Sequence, residues 1–67
     1  MLSARNQFAG IVKSVKLGEV MAEVVITVGG LEIVSAITRT SAEALNLKAG
    51  DVVKAVIKST EVLIDKS

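Results

Sequence analysis

Residues 20–38 read VMAEVVITVGGLEIVSAIT, two apolar runs joined by Gly29-Gly30. Val20, Ala22, Val24, Ile26 and Val28 recur at every second position, the period at which strand side chains return to one face. A glycine pair between two such runs supplies the positive φ angles of a tight hairpin. It therefore joins a strand from about Val20 to Val28 to another from Leu31 to about Thr38. Working back, Gly18-Glu19 makes a turn, and a first strand runs from about Asn6 to Leu17. Working forward, Ala49-Gly50-Asp51 marks the turn before a fourth strand, Val52 to Lys58, and Val62 to Ile64 makes a short fifth. Thr40-Ser41-Ala42-Glu43-Ala44-Leu45 breaks the pattern. It is rich in helix formers and fits a capping box with Thr40 as N-cap and Glu43 three residues on. The predicted fold is all-β, a small five-stranded OB-like barrel with one short helix between strands three and four. It fills residues 1–67 as one domain.

The strands are apolar on both faces. Met21 and Val25 interrupt the outer face of the second, and Val34 and Ala36 that of the third, where a half-exposed antiparallel strand should carry polar residues. Loose patterning would account for this; so would burial of the second face against another subunit, which is the expectation adopted. Size agrees, because 67 residues make a marginal core. With no Cys and no His, disulfides and ordinary zinc sites are unavailable, leaving oligomerisation as the remedy.

The same composition narrows function. Without imidazole or thiol, the common hydrolase and redox schemes have no base or nucleophile. The seven acids alternate with lysines or sit at turns, and Asp51 and Asp65 read as turn and tail residues. No phosphate loop or dinucleotide fingerprint occurs, so the chain is expected not to be an enzyme. A net charge of +1, one Phe and no Trp or Tyr lack the clustered cations and stacking rings of a nucleic-acid binder. No apolar run approaches the ~20 residues of a membrane span. Residues 1–10 lack the apolar stretch of a signal peptide, and a cytoplasmic location is expected.

Three clusters offer hydrogen-bond donors instead: Ser3-Ala4-Arg5-Asn6, Thr38-Arg39-Thr40-Ser41 and Lys58-Ser59-Thr60. Each lies at a strand end, and the second opens into a helix N-terminus, whose free N–H groups favour anions. Singly they have ordinary uses: Thr40 and Ser41 as caps, Ser3 and Arg5 as a frayed terminus, Lys58 as a surface lysine. Together, hydroxyls and amides with one or two cations and no nearby carboxylate are what a small tetrahedral oxyanion requires.

The chain Ser3-Ala4-Arg5-Asn6-Gln7-Phe8-x-Gly10, Val28-Gly29-Gly30, Ile37-Thr38-Arg39-x-Ser41-Ala42-Glu43-x-Leu45, Leu47-Lys48-x-Gly50 and Ile57-Lys58-Ser59-Thr60 resembles the Mop domain of the molbindins over nearly its whole length. That resemblance implies a cytoplasmic protein that binds molybdate or tungstate for storage or homeostasis, with no organic cofactor and no partner but itself. It implies a strand-exchanged homo-hexamer, a trimer of dimers, with the anion held between subunits. Carried over by position, the ligands fall on Ser3 and Arg5 from one subunit, and on Thr38, Ser41, Lys58 and Ser59 from its neighbour. The resemblance also implies a second class of site near the threefold axis, for which no ligands are assigned. Two rival readings remain: a nucleic-acid-binding OB module, and an interaction module that oligomerises without a ligand.

Overall fold

The computed structural model describes residues 4–66. In chain order it contains β1 (Asn6–Leu17), β2 (Met21–Val28), β3 (Leu31–Thr38), helix α1 (Arg39–Ala44), β4 (Val52–Ile57) and a 3-10 turn (Ser59–Glu61). The four strands form one antiparallel sheet in the order β3-β2-β1-β4. Period-two patterning and the glycine hairpin carry this arrangement. Val28 pairs with Leu31 across Gly29-Gly30, and Gly29 takes a φ of 59° that a side chain would disfavour.

β1 is long because it serves two partners. Asn6 to Ile11 pair with β4, whereas Ile11 to Leu17 pair with β2. The change of partner coincides with a bulge: Val12 pairs with Ile26 and Ser14 with Val25, leaving Lys13 as the extra residue. A bulge bends its strand and sharpens the local twist. At this bend Val12 N–H donates to Asp51 O (2.9 Å) and Gly50 N–H donates to Val12 O (2.8 Å). Lys13 is turned outward and pairs with Glu32.

The core lies inside this curved sheet and is built from small side chains. Val12, Ala22, Val24, Ile26, Ala42 and Ala55 are buried, with Val15, Val28, Ile33, Ile37, Leu47 and Val53 packed around them. Tight approach is possible because of Gly10. A Cβ there would stand 2.6 Å from Thr27 O and 2.8 Å from a methyl of Ile26, so backbone must move to admit it. Gly10→Ala is therefore expected to cost about 1–3 kcal/mol, the usual price of overpacking. Thermal unfolding should show Tm falling by several degrees, and an unchanged Tm would mean that β1 and β2 separate freely at this point.

Helix α1 begins two residues earlier than the sequence reading placed it. Thr38, not Thr40, is the N-cap: its backbone is extended (φ −68°, ψ 149°), and its hydroxyl accepts from Ser41 N–H. Thr38 is also the last ladder residue of β3, paired with Met21, so strand end and helix start share one residue. The helix closes on Asn46 at φ 51°. Asn46 N–H donates to Glu43 O and Leu47 N–H to Ala42 O, the bond pair of a Schellman ending.

Two further expectations are not met within the single chain. Val62 to Ile64 form no strand, and Leu63 and Ile64 are each 93% exposed. The barrel also does not close, since β3 and β4 remain unpaired edges. Between them lies a cleft of about 440 Å³ lined by Ile33, Ile37, Leu47, Val53 and Ile57. Within one chain the tail has no facing strand, so its N–H and C=O groups stay outside the ladder. Among the described residues, no helix is long and apolar enough to cross a membrane.

Candidate functional site

The predicted donor residues fall into two groups at opposite ends of β1. At its start, Asn6 pairs with Ile57, so Arg5 and Lys58 each follow directly on the last pair of that ladder. Lys58 leads into the 3-10 turn that Ser59 opens. Arg5, Lys58 and Ser59 are all exposed, and among the described residues none of their side chains makes a hydrogen bond or ion pair. Ser3, the remaining member of the first motif, lies outside the described residues. Gln7, to which the sequence reading gave no role, donates from Nε2 to Ala4 O at 2.7 Å and so shapes the backbone that carries Arg5. Its signal in the sequence was only its place in the motif.

At the far end of β1 stand Thr38 and Ser41. Thr38 Oγ1 donates to Ser41 Oγ (2.8 Å) and accepts from Ser41 N–H (3.1 Å). This arrangement changes the inventory of donors. The Ser41 amide, expected to face an anion, is already used by the cap. The Ser41 hydroxyl accepts from Thr38, which leaves its own proton for an outside acceptor. Thr40 and Ser41 are exposed, and α1 is six residues long with only Ala42 buried.

Twelve residues of β1 separate the two groups, about 35–40 Å of strand at roughly 3.3 Å per residue before the bend. Among the described residues, no hydrogen bond or ion pair joins Arg5, Lys58 or Ser59 to Thr38 or Ser41. The resemblance groups Lys58 and Ser59 with Thr38 and Ser41; within one chain, the Asn6–Ile57 pair puts Lys58 at the same end of the sheet as Arg5. One group holds two cations and a hydroxyl, the other two hydroxyls, and neither alone could surround a tetrahedral dianion.

Two acids share elements with these groups, Glu43 on the helix of Ser41 and Glu61 in the 3-10 turn of Ser59; the others lie elsewhere. Asp51 is a turn residue whose carboxylate accepts from Lys48 N–H at 2.9 Å. Glu32 pairs with Lys13, and Glu43 lies 3.6 Å from Arg39 Nε. Among the described residues no three carboxylates cluster as a metal site would need.

The fold, with its donors set at strand ends, defines the class of this protein: residues 2–64 match the TOBE domain family. The chain belongs to that family, and within it to the molbindin, or Mop-domain, proteins. It is 50% identical to molybdenum-pterin-binding protein 3 of Clostridium pasteurianum over 64 residues, covering 94% of each chain. A molybdate-binding protein from Sporomusa ovata superposes with a TM-score of 0.93 at 41% identity, covering 98% of both chains. The cytoplasmic molybdate-binding protein ModG, solved with molybdate bound, matches at 46% identity with a TM-score of 0.83, over 87% of this chain and 42% of that one. Two further curated relatives, the molybdenum transport proteins ModE of Herbaspirillum seropedicae and Azotobacter vinelandii, are longer, and the chain spans 23% of their length.

Proposed function

We propose that this protein binds molybdate or tungstate in the cytoplasm for storage or homeostasis, holding the oxyanion between subunits and catalysing no reaction. One observation carries the reading: cations and hydroxyls suited to a dianion are present but lie at opposite ends of β1. The site is then completed by two chains, Arg5, Lys58 and Ser59 (with Ser3) from one and Thr38 and Ser41 from its neighbour. Arg5 and Lys58 balance the charge of the dianion. The Ser41 proton, freed by the Thr38 bond, and the Ser59 hydroxyl donate to its oxygens. Sulfate is smaller, and a cage set for molybdate leaves donors unmet at about 1–3 kcal/mol each.

Assembly follows from the same open surfaces. The cleft between β3 and β4 and the exposed tail Val62–Ile64 complement each other. The tail of one subunit fills the cleft of the next as the fifth strand and closes its barrel. Burying each Leu or Ile side chain contributes about 1.5–3 kcal/mol. Repeated in pairs and about a threefold axis, these contacts give the homo-hexamer, a trimer of dimers. A molybdate-bound relative at 46% identity supports the ligand. The donor set is sized for a bare oxyanion, and the protein takes no organic cofactor.

Isothermal titration with sodium molybdate, repeated in a large excess of sulfate, tests this function. Saturable molybdate uptake that survives sulfate is expected. Binding of neither anion would leave an oligomerising module without a ligand as the reading to adopt.

A further inference from the structure

We infer that Arg39, which no ligand role claims, is the positioning residue that sets the Thr38–Ser41 hydroxyl pair. The inference rests on the oxyanion reading above. Arg39 stands directly between the N-cap Thr38 and the Thr40-Ser41 turn of α1. Its Nη1 donates back to Gly18 O at 3.3 Å, and its Nε lies 3.6 Å from Glu43 Oε1. Its own N–H donates to Val20 O at 2.8 Å, while Gly18 N–H donates to Met21 O at 2.7 Å. The first turn of α1 is thus laced to the β1–β2 turn through both backbone and side chain.

The helix needs this tether. Six residues are too few to hold a helix without tertiary support, and Ala42 is the one buried side chain of α1. The ladder pairing of Thr38 with Met21 and the Arg39 N–H bond fix where the helix starts, and the Arg39 side chain adds the link that holds the Ser41 turn beyond it. Donors around an anion must hold their places to about 0.5 Å, and the Arg39 bonds link the hydroxyl pair to the sheet. The guanidinium itself is committed to Gly18 and Glu43, so its effect on the anion passes through Thr38 and Ser41. The Arg39 side chain is 42% exposed, and exposed ionic contacts add little to global stability. Loss of Arg39 should therefore appear in affinity rather than in folding.

The test compares the full chain with Arg39→Met and Arg39→Lys, using molybdate titration, oligomer mass and amide hydrogen exchange of the ligand-free protein. Arg39→Met is expected to weaken molybdate binding about tenfold, the effect of one lost hydrogen bond, at unchanged oligomer mass. The Ser41 amide, bonded to Thr38 Oγ1, should exchange faster, while Val24 and Ile26 keep their protection. Arg39→Lys, which keeps the charge and an N–H donor, should recover most of the affinity. Unchanged affinity in Arg39→Met beside a binding wild type would overturn the inference. So would faster exchange throughout β1 and β2, which marks a merely structural role. A wild type that binds no molybdate would fail the functional reading instead, and the Ser41 exchange rate would still decide whether Arg39 is the tether.

Discussion

Lys58→Ala is expected to weaken molybdate binding roughly 10- to 100-fold while leaving the subunit fold intact. Lys58 is exposed, follows the last residue of β4, and among the described residues has no partner within its own chain. Its removal breaks no internal contact. What it removes is one of two cations facing a dianion, and a hydrogen bond to a charged group contributes about 1.5–3 kcal/mol. Arg5→Ala should act in the same direction, and the double variant should bind no molybdate at millimolar concentration. Titration calorimetry on variants of confirmed oligomer mass checks both. Wild-type affinity in Lys58→Ala would remove Lys58 from the site, and with it the grouping of Lys58 beside Arg5.

The second large effect concerns assembly. Replacing Leu63 and Ile64 together with Asp is expected to dissociate the oligomer. Both side chains are 93% exposed in the single chain, so the change leaves the core of Val12, Val24, Ile26 and Ala55 untouched. In the assembled state the same positions would set two carboxylates in an apolar cleft, where an unpaired charge is strongly unfavourable. Sedimentation should show a fall to small species that bind no molybdate, because the proposed site needs two chains. An intact oligomer would mean that the tail does not enter a neighbour's cleft.

Most of the sheet was legible because its signals are local. Period two from Ala22 to Val28, the Gly29-Gly30 pair and the Ala49-Gly50-Asp51 turn each act over a few residues, and each lies where the reading set it. The bulge at Lys13 leaves only a faint trace in the sequence. Val12 and Val15 both face inward although they are three residues apart, a spacing that an unbroken strand cannot satisfy. The N-cap was misplaced because Thr38 and Thr40 are chemically equivalent caps. Only the pairing of Thr38 with Met21 decides between them, and that is a tertiary fact. The tail Val62–Ile64 was recognised as apolar and extended, but what it pairs with is not a property of one chain.

The candidate site divides in the same way. Residue types suited to an oxyanion could be read directly, since Arg5, Thr38, Ser41, Lys58 and Ser59 stand out as cations and hydroxyls at strand ends. Which of them act together could not be read, because that depends on β1 pairing with β4 at one end and β2 at the other. Arg39 and Gln7 were passed over for a related reason. Their bonds go to the backbone carbonyls of Gly18 and Ala4, and a carbonyl leaves no signature in the sequence.

Native mass spectrometry with molybdate, followed by excess sulfate, tests the central claim most directly, since it reads assembly and ligand together. The expected species is a hexamer that gains whole numbers of molybdate, keeps them in sulfate, and shows no anion on the monomer. A monomer that carries molybdate by itself, or an oligomer that takes up neither anion, would contradict a site built from two chains.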